Sequence, residues 1–172
     1  MLVKERRLII MRHAKSSWSS NASSDHDRPL NNRGRRDAPF MAKVLRDNGW
    51  EPDLVLSSDS RRTRETWELM EEHLPSVKEV VFERTLYHAE LKDLQSMIKR
   101  IKPRQGTILV LGHNPGWHEM VELLSGRDEK ITTSNCALLS HDWGKWHELL
   151  NRHGNWTLHQ VLRPKELRKS NT

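Results

Sequence analysis

The sequence predicts a three-layer α/β/α fold with a mixed, mostly parallel sheet. Short apolar runs at 8–11, 54–56, 80–82 and 108–111 alternate with segments in which apolar residues recur at helical spacing. Alternating strands and helices indicate βαβ units, whose parallel strands are covered by helices. A chain of 172 residues has the length of one domain with a real core, and we expect a single domain over 1–172.

Helical spacing of apolar residues predicts the helices between these strands. We expect them at 35–48, at about 59–73, at 91–101 and between Pro115 and Gly126. Asp59 or Ser60 can cap the second helix. The polar, turn-rich stretch 16–32 is expected to be a loop, and a loop of that length in a compact domain usually serves a function.

The C-terminal third predicts two more strands, 137–139 and 156–162, separated by the polar stretch 141–155. We expect these strands to complete the sheet, and antiparallel pairing is an alternative to parallel pairing for them.

Composition restricts the class of protein. Hydrophobic residues make up 35% of the chain and the mean hydropathy is −0.81, so the core must come from a few concentrated strands. No apolar run approaches the roughly 20 residues of a membrane span. We expect no signal peptide, because the charged residues 4–7 lead directly into the first strand. The single cysteine, Cys136, excludes an internal disulfide framework and fits a reducing compartment. We therefore expect a cytoplasmic protein.

The net charge of +6 and a pI near 9.7 favour an anionic partner. Nucleic acid, a membrane surface and a phosphorylated substrate all satisfy that condition. Basic residues cluster only at 33–36 and 163–169, and a solvated basic surface is an alternative explanation of the whole charge.

Arg12 and His13 follow the first predicted strand. Neighbouring side chains on a strand point in opposite directions, so both reach one site only where the strand has become a loop. Two other strands end close to Arg62 and His113, and the carboxyl ends of parallel strands share the edge where open α/β folds bind ligands. Cations that bind phosphoryl oxygens also oppose protonation of an imidazole, which suits attack on phosphorus.

His113 and Arg62 each have a structural alternative. His113 lies in a tight turn, 112–116 (GHNPG), before a helix whose N-terminus favours an anion, but backbone groups could equally satisfy a turn histidine. Arg62 opposes the dipole of its helix unless it faces solvent or binds an anion. Spacing alone does not separate it from Arg61 and Arg64.

We expect no metal and no cofactor. His113 and His118 lack the i, i+4 spacing of a zinc helix, and no cysteine cluster or glycine-rich phosphate loop is present. His141, His147 and His153 recur at intervals of six, which matches neither a helix face nor a strand face.

Five segments, in order, resemble the signatures of the histidine phosphatase superfamily. They are 11–18 (MRHAKSSW), 28–34 (RPLNNRG), 56–66 (LSSDSRRTRET), 86–89 (LYHA) and 110–115 (VLGHNP). The alanine after the histidine resembles SixA-type phosphohistidine phosphatases, which implies the phosphoglycerate mutase-like fold.

The resemblance implies a cofactor-independent phosphatase that forms a covalent phosphohistidine on His13. It implies that Arg12, Arg62 and His113 hold the phosphoryl oxygens, and it selects Arg62 over Arg61. The substrate-binding residues that we expect beside these catalytic ones are Ser16, Ser19 and Asn114.

One departure from the family pattern concerns the general acid. Many members carry a glutamate where this sequence has Thr85, although Glu83, His88 and Glu90 are nearby. An alkoxide leaving group needs a proton in the transition state, whereas imidazole is a better leaving group that solvent can protonate. A missing acid therefore favours phosphohistidine in proteins as the substrate.

Two alternatives remain. The first is a small-molecule phosphomonoesterase of the same superfamily, with Glu83, His88 or Glu90 as its acid. The second is a non-catalytic module that binds phosphorylated ligands or nucleic acid, although pure anion binding would not need the histidine pair. We expect a phosphorylated protein or small phosphorylated substrate as the partner, and neither nucleic acid nor a membrane.

Overall fold

The computed structural model describes residues 4–170 as a six-stranded sheet between two layers of helices. The strands are β1 (Glu5–Arg12), β2 (Leu54–Ser58), β3 (Glu79–Glu83), β4 (Thr107–Gly112), β5 (Cys136–Asp142) and β6 (Thr157–Leu162). The helices are α1 (Asn32–Asp47), α2 (Arg61–Met70), α3 (Leu91–Ile101), α4 (Gly116–Ser125), α5 (Trp146–Leu149) and α6 (Pro164–Ser170). The predicted fold class is confirmed.

The strand order is β3-β2-β4-β1-β5-β6. The first four strands of this order are parallel, whereas β5 is antiparallel to β1 and β6 is antiparallel to β5. The sheet is therefore mixed and mostly parallel, and the closing strands are antiparallel. Arg12 pairs with Gly112 at the ends of β1 and β4. The residues that follow these two ends therefore lie at the same edge of the sheet.

The apolar run of β1 is continuous because both faces of the sheet are covered. Leu8 and Ile10 pack into a core with α3, α4 and α5, whereas Ile9 and Met11 pack into a second core with α1 and α2. All four side chains are at most 1% exposed. Burial of each such side chain contributes about 1.5–3 kcal/mol, which makes β1 and its neighbours a rigid support for the loops at their ends.

The helix starts depend on capping side chains. α1 begins three residues before the predicted position because the Asn31 side chain accepts a hydrogen bond from the backbone N–H of Gly34. Ser60, one of the two predicted caps, caps α2 by accepting from the N–H of Thr63. This cap places residues 61–63 in the first turn of α2, at the carboxyl end of β2.

Two short helices, α5 and α6, lie in segments that show no helical pattern of apolar residues. In α5, Trp146 is 2% exposed and its indole N–H donates to the carbonyl of Gln105. In α6, Pro164 is the first residue, a position at which proline is favourable. One or two turns are too short to show a period. None of the helices over residues 4–170 has the length and apolar character needed to cross a bilayer.

Close backbone approaches tie the loops to the helices at this edge. A Cβ atom at Gly34 would lie 2.2 Å from the carbonyl oxygen of Lys15, and one at Gly116 would lie 1.8 Å from that of Ala89. Only glycine permits these approaches. They fix the segment after β1 against α1, and the start of α4 against the loop before α3.

Candidate active site

His13 is the first residue after β1 and its side chain is buried, with 5% of the residue exposed. The backbone N–H of His13 donates to the carbonyl of Gly112 at 3.0 Å. The ring Nδ1 lies 2.7 Å from the carbonyl oxygen of Ala14, and because a carbonyl only accepts, Nδ1 carries the proton. The lone pair of the neutral ring is therefore on Nε2.

The surroundings of His13 keep its ring neutral. Burial, aided by the positive charges of Arg62, Arg12 and Arg28, lowers the pKa of His13 to about 3, against the raising effect of its bond to Ala14. Desolvation and neighbouring cations both disfavour an imidazolium. At neutral pH the ring is ready to act as a nucleophile.

Arg62 is buried in the first turn of α2 and points to the same edge. Its Nη1 donates to the backbone carbonyl of Asp25 at 2.7 Å, and its Nη2 donates to an Asp25 carboxylate oxygen at 3.1 Å and to His113 Nδ1 at 3.3 Å. Arg61 instead forms an i, i+4 ion pair on the surface, and Arg64 donates to the backbone carbonyl of Asp59, just before α2. The geometry places Arg62, and neither neighbour, at the site.

His113 is the first residue after β4 and is 3% exposed. Because a guanidinium only donates, Nδ1 of His113 accepts from Arg62, and Nε2–H donates to the hydroxyl of Ser58 at 2.9 Å. Burial, followed by the electrostatic effects of His13, Arg62 and His88, lowers the pKa of His113 to about 2. The ring centroids of His13 and His113 are 5.2 Å apart.

These side chains line a cleft of about 320 Å³. The cleft, which we name the phosphoryl pocket, brings together six predicted residues: Arg12, His13, Ser16, Arg62, His113 and Asn114. Ser19 is exposed outside this lining, and its hydroxyl lies 3.4 Å from that of Ser17. Its assignment as a substrate-binding residue stays a prediction.

Two guanidinium N–H groups in the pocket have no acceptor. Nε of Arg12 and Nε of Arg62 are buried, and neither has a hydrogen-bond partner among residues 4–170. A buried donor without an acceptor is unfavourable, by about 1–3 kcal/mol in mutational data. A bound oxyanion would satisfy both groups, so the pocket is suited to a phosphoryl group.

Asp25 is a functional residue that the sequence patterns missed. It lies in the 16–32 loop, and its carboxylate accepts hydrogen bonds from Tyr87, Arg62 and Arg28. The hydroxyl of Tyr87 first, and then the two arginines, hold the pKa of Asp25 well below its usual range. Within the described chain, Asp25 is the sole carboxylate lining the phosphoryl pocket, and it is ionised.

The three candidate acids lie in different places. Glu83 pairs with Arg100, and Glu90 caps α3. Neither residue lines the phosphoryl pocket. His88 does line it, with Nε2 3.8 Å from the Asp25 carboxylate. His88 has a φ of 55°, a left-handed conformation that is uncommon without glycine and is often found at functional sites.

Comparison with known proteins agrees with this geometry. The family profile described as "Histidine phosphatase superfamily (branch 1)" matches residues 8–106. The chain belongs to this superfamily. An uncharacterised chloroplastic protein of Arabidopsis thaliana is 40% identical over 170 residues, which are 92% of this chain and 78% of that one.

Solved structures extend the comparison. The crystal structure of the proposed phosphohistidine phosphatase SixA from Agrobacterium tumefaciens superimposes with a TM-score of 0.76 and 27% identity, covering 92% of this chain and 98% of that one. The protein histidine phosphatase SixA complexed with tungstate gives a TM-score of 0.78 and 24% identity, covering 94% and 99% of the two chains. The predicted resemblance is confirmed.

Among residues 4–170 of this histidine phosphatase, one cluster of side chains could hold a metal ion. Ligand atoms of His118, Glu122 and Asp128 lie within 4.8 Å of one another. His118 Nε2 and Asp128 Oδ1 are 2.9 Å apart, a hydrogen bond that accounts for the arrangement without an ion. All three residues lie outside the lining of the phosphoryl pocket.

The neutral histidines of this phosphatase predict the pH dependence of its stability. On unfolding, the pKa of His13 and that of His113 return to about 6.5. Below that pH the unfolded chain binds more protons than the folded chain, so the free energy of unfolding falls as the pH decreases towards the folded-state values. In urea unfolding between pH 7 and 4.5, His13→Gln should reduce this slope by up to about 1.4 kcal/mol per pH unit.

The matched control is His153→Gln, because His153 is exposed. It should keep the slope of the unmodified protein. A His13→Gln slope equal to that of the unmodified protein would contradict a neutral His13.

Proposed function

We propose that this histidine phosphatase removes the phosphoryl group from phosphohistidine in proteins. The observation that carries the proposal is the set of hydrogen bonds that the Asp25 carboxylate accepts in the phosphoryl pocket, from Tyr87, Arg62 and Arg28, because these bonds favour its ionised form. An ionised carboxylate cannot protonate a leaving group, and an alkoxide leaving group requires that proton. An imidazole leaving group can take its proton from solvent, so phosphohistidine suits the pocket.

In the first step, the lone pair of His13 Nε2 attacks phosphorus. The new N–P bond forms as the N–P bond of the substrate breaks, and the departing imidazole takes a proton from solvent. The Nδ1–H bond to Ala14 holds the ring in position and stabilises the positive charge that develops on it. The free N–H groups of Arg12 and Arg62 bind the equatorial oxygens.

In the second step, water attacks the phosphohistidine formed on His13. The N–P bond breaks, the electron pair returns to Nε2, and the proton from water passes to the released phosphate. His113 acts in both steps, because a phosphoryl group beside its ring favours uptake of a proton from solvent at Nδ1. Nδ1 then no longer accepts from Arg62, and the imidazolium donates to a phosphoryl oxygen. Each step forms and breaks one bond to phosphorus, and neither requires a cofactor.

Further contacts are proposed for Ser16 and Asn114, which line the phosphoryl pocket, and for Ser19 on the adjacent loop. The hydroxyl of Ser16 already accepts from Arg28 at 3.0 Å. We propose the cytoplasm as the compartment, on the basis of one cysteine that is fully buried.

A specific observation favours a second candidate function. His88 lines the pocket in a left-handed conformation beside the Asp25 carboxylate, and an imidazolium there could donate a proton to an alkoxide. The protein would then be a small-molecule phosphomonoesterase.

Leaving-group dependence separates the two functions. If no enzyme group protonates the leaving group, the rate should fall steeply as the leaving-group pKa rises. A phosphohistidine peptide and aryl phosphates should be hydrolysed, and phosphoserine and sugar phosphates barely. His88→Ala and Glu83→Gln should both retain most of the phosphohistidine activity, Glu83→Gln being the matched control outside the pocket.

A flat dependence on leaving-group pKa, with alkyl phosphate activity abolished by His88→Ala alone, would identify His88 as the acid and favour the phosphomonoesterase.

A further inference from the structure

A second cleft, of about 270 Å³, lies beside the phosphoryl pocket and shares Thr133 with it. We name it the basic cleft. Its lining comes from the loop before β5, from Arg163 and α6, and from Arg33 of α1. One extended ligand could therefore occupy both clefts.

The wall between the clefts is bonded directly to the catalytic segment. The backbone N–H of Ser134 lies 3.1 Å from the carbonyl oxygens of both Arg12 and His13, and the carbonyl of Asn135 accepts from the N–H of Arg12. The separation between the two clefts is thus fixed by backbone hydrogen bonds. A group held in the basic cleft would position whatever is attached to it relative to His13.

Asn135 points to the kind of group that the basic cleft binds. It lines this cleft, it is 1% exposed, and its side-chain Nδ2 has no hydrogen-bond partner within residues 4–170. Buried polar groups are almost always hydrogen-bonded, and an exception needs an explanation. A ligand that accepts a hydrogen bond from the Asn135 amide would explain this exception.

The charge of the residues that line the basic cleft indicates that the group accepting a hydrogen bond from Asn135 is an anion. Within residues 4–170, the cationic residues of the lining are Arg33, Arg163, Lys165 and Lys169, and its one acidic residue is Glu166. Lys165 is exposed and makes no ion pair within the described part of the chain.

Neighbouring carboxylates already engage two of these cations. Arg163 lies 3.4 Å from Glu129 and also donates to the carbonyl of Lys130, and Arg33 lies 3.5 Å from Asp37. Such partly neutralised arginines suit a singly charged carboxylate better than a dianionic phosphate, which would need more uncompensated positive charge.

We propose that the basic cleft binds a carboxylate side chain of the protein that carries the phosphohistidine. The preferred substrate is then a phosphohistidine segment with a nearby Asp or Glu, held by the amide of Asn135 and the ammonium of Lys165. This inference rests on the proposed function, because it names the class of phosphoprotein that the phosphoryl pocket serves.

Two sets of phosphohistidine peptides test the proposal, one with a single Glu placed at successive positions around the phosphohistidine and one with Gln at the same positions. At the best position, the Glu peptide should have a KM about threefold to fivefold lower than its Gln partner, the range of an exposed ion pair, with little change in kcat. Lys165→Gln should remove most of this difference and leave aryl phosphate hydrolysis unchanged. Arg152→Gln, an exposed cation elsewhere in the chain, should keep it.

A second variant tests the amide itself. Asn135→Asp replaces the N–H donor by an acceptor of similar size, and should reverse the preference towards the Gln peptides. Circular dichroism and aryl phosphate turnover establish that this variant is folded.

The outcomes are distinguishable. Equal KM values for the Glu and Gln peptides at every position would overturn the basic cleft proposal and leave the phosphohistidine activity intact. Hydrolysis of aryl phosphates but of neither peptide set would overturn the proposed function. Binding of a small bisphosphate that is weakened by Lys165→Gln, without any effect of peptide charge, would replace the carboxylate by a second phosphate.

Discussion

Replacing His13 by Ala is expected to abolish turnover, with a loss of at least about 10⁴-fold in kcat. Both the geometry of the His13 ring and its electrostatic surroundings account for this expected loss. In the part of the chain that the structure describes, His13 alone combines a proton on Nδ1, an Nε2 lone pair without a partner and a pKa held far below neutrality. His113 is equally neutral, but both of its ring nitrogens are engaged, by Arg62 and Ser58.

Trapping the intermediate provides the direct measurement. After rapid quench with a substrate labelled in its phosphoryl group, the label should be recovered on the peptide that contains His13, as an acid-labile adduct. His153→Ala, which changes an exposed histidine, should label normally. Label recovered on His113 would reverse the roles of the two histidines, and no label at any time would remove the covalent step.

Arg12→Ala, Arg62→Ala and His113→Ala should each lower kcat by about 10²–10³-fold, the typical effect of removing one preorganised donor. Charge develops on the phosphoryl oxygens as the bond to His13 forms, so these contacts are stronger in the transition state than in the ground state. The effect should therefore appear in kcat more than in KM.

Arg61→Ala is the matched control, because it removes an adjacent cation whose partner is Glu65 on the surface of α2. It should change kcat by less than about threefold, the usual effect of an exposed ion pair. Steady-state rates with an aryl phosphate and with a phosphohistidine peptide are sufficient to compare kcat among these variants. Equal losses from Arg61→Ala and Arg62→Ala would contradict the assignment of the phosphoryl contact to Arg62 alone.

The sequence allowed the sheet and its catalytic edge to be predicted because both depend on strong, local patterns. Strands buried on both faces are continuous apolar runs, as at 8–11 and 108–111, and parallel strands must end at one edge. His13 and His113, the residues that follow two adjacent strand ends, therefore had to meet. Arg62 could be chosen over Arg61 only through the family resemblance, since both lie in the first turn of α2.

Asp25 could not be predicted in this way. It approaches Arg62 from a loop without periodicity, and the sequence offers Asp25 and Asp27 on equal terms. Likewise, nothing local shows that Glu83 turns towards Arg100 on α3, while His88, five residues later, reaches the pocket. Such contacts depend on tertiary packing across long sequence separations, and short helices such as α6 leave no period to detect.

The bonds between Asp25 and Arg62 give this arginine an internal counterion. A phosphoryl group bound through Nε of Arg62 shares the guanidinium with the Asp25 carboxylate, which accepts a hydrogen bond from Nη2. The two anions then repel each other across one cation. We therefore expect phosphate to be held weakly and released quickly once the second step is complete.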